Sequence, residues 1–436
     1  MTTIPQVARA LQPVLREQAQ ALGRQTGFVQ RRSKVDGATF VQSLTFGWLD
    51  RPDSSLSGLC QMAAALGVPI SPQGLEARFT PQAADLLYRV LRAAVDQVVA
   101  AVPTAVPVLA RFTGVYLQDS TQLALPAALA QVWPGNGGKD SGAALKLQVQ
   151  WEWRSGQLVR LDLQPGRSAD NAAPAQAVPL PSGALRLADL GYFRLDTLAE
   201  TAAAGAFFLT RLKAGTHLFT AAGQPLDLLR WLRQSGAAER DEPVQVGARQ
   251  RLAARLITVR VPARVASARR RKLRRAAQVK GQTVSAERLA LAGWTLLLTN
   301  TTPALLSAAE AVVVAAVRWQ IELLFKLWKS HGQLAVSRSE KPWRRLCELY
   351  AKLLGLLIQH WLWLLGAWDR PDRSLVQAAQ LVQRFALALA LALPSQDTLV
   401  PLLQTLQRCL ASVGRLNKRR HTPSTFQRLT AAEALA

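Results

Sequence analysis

Arg318, Glu322, Lys326 and Lys329 lie in one short stretch, RWQIELLFKLWK. At about 100° per residue their spacing places all of them within roughly 80° of one another on one helical face. A carboxylate would then share its face with three cations, with Leu323, Leu324, Phe325, Leu327 and Trp328 packing elsewhere. Such a face has an ordinary reading, because i,i+4 ion pairs on an exposed helix look the same. It also has a chemical one, in which Glu322 is an oxygen ligand and the cations grip phosphate. Two aspartates bear on the choice. Asp119 ends the apolar run FTGVYLQD and Asp189 ends ALRLAD, so each carboxylate would protrude from a sheet end. Single aspartates at strand ends are commonly turn formers. Two of them with a helical glutamate make a set of hard oxygen ligands suited to Mg²⁺ or Mn²⁺. A pair of such ions can stabilise the attacking and leaving oxygens of a displacement at phosphorus.

The elements that must position these groups are legible around them. LKLQVQWEW alternates strictly, with Leu145, Leu147, Val149, Trp151 and Trp153 on one side, and predicts a half-buried strand. QLVRLDLQ follows a Ser-Gly turn and completes an antiparallel hairpin. A strand through ALRLADLGYF ends at Asp189, and WTLLLTN predicts a last strand starting at Trp294. A long helix starts at Ser307, which with Glu310 has capping-box spacing. The order of strand Asp, strand Asp and helix Glu predicts an α/β fold with an RNase H-like core.

Five segments follow. Residues 1–103 form a helical DNA-binding region and 104–195 the first part of the core. Residues 196–306 are a β-rich insertion, 307–375 carry the catalytic helix, and 376–436 are a helical region suited to dimerisation. In the first segment, a helix through Leu59 and Leu66 ends at Gly67, and Ser71 with Pro72 starts another. That pattern fits a helix-turn-helix or a plain helical hairpin equally. Arg31, Arg32 and Lys34 form a basic cluster nearby, fit for phosphates or for a solvated turn. Within ARRRKLRR, Arg269 to Arg275, the residues Arg270, Arg271 and Arg274 are candidate DNA contacts. A further basic patch, Lys418, Arg419 and Arg420, lies near the end.

Composition narrows the partners. The 436 residues carry 53 Lys and Arg against 28 Asp and Glu, a formal charge of +25, which favours a polyanion. Charge alone fits a ribosomal protein as well. Three scattered cysteines, Cys60, Cys347 and Cys409, give neither a disulfide framework nor zinc-ligand spacing, as expected of a reducing cytoplasm. The first residues lack the apolar core of a signal peptide, and the runs Leu353–Trp368 and Phe385–Leu393 are too short or too polar to span a bilayer.

Taken in order, QDST at Asp119, ADLGYF at Asp189 and the helix motif resemble the hairpin-forming DDE transposases of the insertion-sequence-4 family, over nearly the full length. The family's helix signature is Tyr-x2-Arg-x3-Glu-x6-Lys. Arg318, Glu322 and Lys329 match it, Lys326 matches a frequent second lysine, and Ala315 replaces the tyrosine. The resemblance implies cut-and-paste transposition by strand nicking, hairpin formation and strand transfer. Asp119, Asp189 and Glu322 would hold two Mg²⁺ or Mn²⁺ ions, with Asp119 bridging both. Arg318, Lys326 and Lys329 would hold phosphates, and Trp294 would stack a base flipped out near the cut. Ala315 implies a weakened hairpin step. Implied partners are double-stranded DNA, as terminal inverted repeats and target, and a second copy of the chain in a synaptic dimer. The implied place of action is the bacterial cytoplasm, on the nucleoid, without a membrane. A non-catalytic DNA-binding descendant and a metal-dependent nuclease are the other readings.

Overall fold

The computed structural model describes residues 3–31, 33–104, 106–137, 142–234, 236–368, 374–412 and 424–432. Arg32 and the basic patch at Lys418, Arg419 and Arg420 lie outside the described residues. The chain forms two compact units. One contains residues 1–105, 120–168 and 320–422, and the other 106–119, 169–319 and 423–436. Both are mixtures of helix and strand. The strands are β1 (Val115–Leu125), β2 (Ala143–Glu152), β3 (Leu158–Pro165), β4 (Leu185–Ala188), β5 (Phe207–Arg211), β6 (Leu218–Thr220), β7 (Glu239–Val246), β8 (Leu252–Arg260) and β9 (Trp294–Thr299). The division falls inside β1, after Asp119, and again at the start of the helix Trp319–Ser330.

The first unit is mostly helical. Helix Leu56–Ala65 ends before Gly67, whose φ of 81° is the left-handed geometry expected of a cap. Ser71 accepts a hydrogen bond from the Gly74 amide and starts helix Pro72–Glu76. That helix has only five residues and buries Leu75 in the unit's own core. It is therefore a helical turn of the core, too short to lie along a DNA groove. The long helix Pro342–Trp363 is buried on every side from Leu346 onward and packs on helices Pro81–Val95 and Gly37–Asp50. Among the described residues no single helix is long and apolar enough to cross a membrane. The pair Leu375–Arg384 and Ala386–Ala392 reaches that length only together and bends by 52° between them.

β2 and β3 pair antiparallel, as the hairpin spacing predicts. Gly156 in the turn has φ 74°, and a Cβ there would come within 2.4 Å of Leu364 and 2.7 Å of Trp368. Its carbonyl accepts from Trp151 Nε1 at 3.1 Å and meets His360 Nε2 at 2.6 Å. Burial pushes the His360 imidazole down to about 4, so it is neutral at physiological pH. The expectation of a half-buried β2 is corrected: Gln148, Gln150 and Glu152, on the polar side, are buried too. The strand lies between β1 and β3, and polar side chains can be buried there when hydrogen-bonded. Glu152, for example, accepts from the Arg154 and Ser155 amides.

The second unit is built on a sheet in the order β1-β4-β5-β9-β8-β7-β6. The β1–β4 and β4–β5 pairs are parallel; the rest are antiparallel. The segment 196–306, expected to be β-rich, holds strands β5 to β9 and also helices Leu195–Ala203, Leu228–Gln234, Ala263–Val279 and Ala286–Leu291, so it is a mixture of strand and helix. Phe193, Leu198, Phe208, Leu218, Val244, Val246, Leu256 and Leu298 make one buried cluster, so its parallel and antiparallel strands share a core.

The capping box forms: Ser307 Oγ accepts from the Glu310 amide, and the Glu310 carboxylate accepts from the Ser307 amide. Arg111 clamps the same buried carboxylate at 2.8 and 3.1 Å. Burial by itself would raise the Glu310 carboxyl, but the Arg111 and Ser307 hydrogen bonds outweigh it and hold the group below the usual carboxylate range. This stabilisation is present above the ordinary carboxylate pKa and is lost as pH falls through the depressed value. Ser307→Ala is expected to cost about 1 kcal/mol, read as a lower urea midpoint with unchanged slope. An unaltered midpoint would mean that the cap contributes nothing. The helix it starts is not continuous. Ala308–Ala315 gives way to a 3₁₀ turn, Ala316–Arg318, before Trp319–Ser330 begins. The β-branched residues Val312, Val313, Val314 and Val317 crowd this region and weaken α-helical preference.

Candidate active site

Parallel pairing of β1 with β4 runs from Val115 opposite Leu185 to Gln118 opposite Ala188. The next residue of each chain is the aspartate, so Asp119 and Asp189 sit where this ladder ends. Asp189 leaves the strand as expected. Asp119 does not end its own strand, because β1 runs on to Leu125. What stops at Asp119 is the pairing with β4. Behind the two carboxylates, the buried Arg186 guanidinium donates to Gln118 Oε1 at 3.0 Å and to Gln176 Oε1. Burial pushes it down to about 10, still a cation at neutral pH.

Arg318, at the end of the 3₁₀ turn, holds both aspartates. Its Nη1 lies 3.2 Å from Asp119 Oδ2 and its Nε 4.0 Å from Asp189 Oδ1. Asp119 and Arg318 are mostly buried, whereas the Asp189 side chain is 48% exposed. Two neighbouring carboxylates thus share one cation. Their oxygens are hard donors, which fit a hard divalent ion. Among the described residues, no three His, Cys, Asp or Glu side chains gather into a group that could hold a metal ion unaided.

Beside this pair the second unit has a cavity of about 340 Å³. Asp189, Arg211, Arg269, Arg318 and Arg428 are the charged residues that line it, and Ala315 and Trp319 line it too. Four guanidinium groups therefore face one carboxylate, an excess of positive charge that suits an anion. Arg269 donates to the Trp294 carbonyl at 2.8 Å and to Thr295 Oγ1 at 3.2 Å. Burial, and then the nearby Arg211, lowers its pKa. Trp294 starts β9 as expected, half-buried, with the Arg260 guanidinium 6.0 Å from its ring centre. It is Trp319, 52% exposed, that lines the cavity.

In the first unit, Glu322 lies in the first turn of helix Trp319–Ser330 and is partly buried. Lys326 is exposed. Lys329 donates to the Gln122 carbonyl at 3.2 Å, and burial lowers its pKa. Arg31 and Lys34 are exposed. The basic helix Ala263–Val279 buries only Ala266. It divides its cations: Arg270 is tied to the Leu289 carbonyl at 3.0 Å, while Arg271 and Arg274 face solvent.

Residues 110–358 match the family model of the transposase DDE domain, a span that holds Asp119, Asp189 and Glu322. The chain belongs to that family. It is 27% identical over 383 residues to the transposase of insertion sequence element IS231B of Bacillus thuringiensis subsp. berliner, covering 81% of this chain and 78% of the relative. It is 29% identical to the IS231C transposase from the same source (80% and 77%) and 24% identical to the IS1151 transposase of Clostridium perfringens (77% and 76%). A transposase DDE domain makes the chain an enzyme acting on DNA, and implies dependence on divalent metal in general. Arg211, Arg269, Trp319 and Arg428 were not singled out by sequence as parts of the site. Trp319 carries a local signal, as the neighbour of Arg318 in the helix motif, and Arg269 another, as the first arginine of the basic run ARRRKLRR.

Proposed function

We propose that the chain is the transposase of an insertion sequence and moves it by cut and paste, as a member of the insertion-sequence-4 family with an RNase H-like core. The observation that carries this reading is the pairing of Asp119 and Asp189 at the end of one parallel ladder, clasped by Arg318 of the helix motif. Asp119, Asp189 and Glu322 would hold two Mg²⁺ or Mn²⁺ ions. Bound there, the ions would stabilise the attacking and leaving oxygens of an in-line displacement at phosphorus. Arg318, Lys326 and Lys329 hold backbone phosphates beside the scissile bond. The cationic cavity receives a nucleotide displaced from the duplex, for which the exposed Trp319 offers an aromatic face, and Trp294 would stack a base flipped out near the cut. The phenol of the family tyrosine is missing at Ala315, on the cavity wall, so the hairpin step is the weakest of the sequence. Arg31, Arg32, Lys34, Arg271 and Arg274 contact DNA away from the cut, and two copies act together on paired ends. Arg270, whose Nε also donates to the Leu289 carbonyl, contacts DNA from the same basic helix.

Labelled duplex carrying an end of the element is expected to be nicked and converted to a hairpin only when Mg²⁺ or Mn²⁺ is added. EDTA should abolish both products and leave binding. Binding without cutting in either metal would instead identify a non-catalytic DNA-binding protein, and nicks without any joined product a nuclease.

A further inference from the structure

One residue of the cavity lining comes from a helix more than a hundred positions after Arg318. Helix Thr425–Ala432 is capped reciprocally: the Gln427 amide donates to Ser424 Oγ at 3.2 Å, and the Ser424 amide to Gln427 Oε1 at 2.7 Å. Leu429 is fully buried and anchors the helix, which packs on helix Ala308–Ala315. The residue before the anchor, Arg428, lines the cavity. Of the other cations there, Arg318 is engaged by Asp119 and Asp189, and Arg269 by Trp294 and Thr295. Arg211 and Arg428 pair with no carboxylate among the described residues.

We infer that Arg428 grips a backbone phosphate of the DNA strand that enters this cavity, making the C-terminal helix part of the substrate-binding wall. The inference rests on the reading of the chain as a DNA-cutting transposase. A planar guanidinium without an internal partner matches two phosphate oxygens in a way no neutral side chain does. The buried Leu429 beside it holds the backbone, so little backbone freedom is left to lose on binding. This charge lines the same cavity as Ala315, where the family's phenol is missing.

The test uses the full chain and a fluorescent duplex taken from the end of the element, with affinity measured against KCl concentration. Arg428→Ala should make the slope of log affinity against log salt shallower by about 0.9, the value of one phosphate contact. Arg428→Lys should keep most of the slope, and both variants should melt with the wild type. An Ala variant with the wild-type slope would overturn the inference and leave the DNA reading standing. Wild-type protein without salt-dependent binding would remove that reading and the inference with it. Shallow slopes in both variants, with lowered melting temperatures, would place the effect in helix packing rather than charge and would also overturn it.

Discussion

Glu322→Gln is expected to bind element-end DNA as the wild type does and to cut it at least about 10²–10³-fold more slowly, the range seen when one group that stabilises transition-state charge is lost. The substitution keeps the size of the side chain and removes its negative charge, so it should not disturb Ile321, Leu324 and Phe325, which bury the other side of the helix. Asp119→Asn should behave alike in cleavage. It differs in a second respect, because it removes the charge that Asp119 brings to its ion pair with Arg318. DNA binding by Asp119→Asn should therefore be as strong as wild type or slightly stronger, since a negative charge near the phosphates is gone. Gel analysis of cleaved and hairpin products against fraction bound separates the two effects. Cleavage within a fewfold of wild type in either variant would remove that carboxylate from the catalytic set.

Arg255→Met is expected to be the most destabilising single change in the second unit, by about 3–5 kcal/mol, the cost of breaking a buried ion pair from one side. Arg255 lies on β8 and is 7% exposed. Its Nε and Nη2 each meet an Asp241 oxygen at 2.7 Å, across the β7–β8 pair. The same guanidinium donates to the Thr301 carbonyl at 2.8 Å and to the Leu306 carbonyl at 3.1 Å. One side chain thus ties the antiparallel strands to the loop that enters the capped helix at Ser307. Methionine fills a similar volume but leaves Asp241 without its charged partner and two carbonyls without a donor. Urea unfolding of the full chain would show the loss as an earlier transition. A shift equivalent to less than 1 kcal/mol would mean that water replaces the guanidinium, and that this tie does not position the helix.

Several elements were readable because the forces that specify them act within a few residues. Ser307 with Glu310, Gly67 after its helix, Ser71 before Pro72 and the glycine turn at Gly156 each satisfy a local hydrogen-bond or φ requirement. The same holds for Asp189, which follows its strand directly, and for Trp294 at the start of β9. The family motif made the set Asp119, Asp189, Arg318 and Glu322 visible by order and spacing alone. Of that set, the structure brings Asp119, Asp189 and Arg318 together.

Other features depend on which segments become neighbours. β1 continues past Asp119, beyond the last residue paired with β4, and no residue between Ser120 and Leu125 announces this. The alternation in β2 predicts one wet face, yet tertiary packing covers both. Charge marked the helix Ala263–Val279 as basic, but only the fold separates Arg270, spent on a carbonyl, from Arg271 and Arg274, which face solvent. The cavity is the clearest case. Arg211 ends a strand, Arg269 sits on the basic helix, Arg318 closes a 3₁₀ turn, and Arg428 rides on the last described helix. Sequence by itself determined the local starts and stops and picked out the candidate acidic residues, because capping, φ and motif spacing are short-range. Only the tertiary structure decided which cations share one cavity, because that follows from burial and strand pairing between segments far apart in the chain.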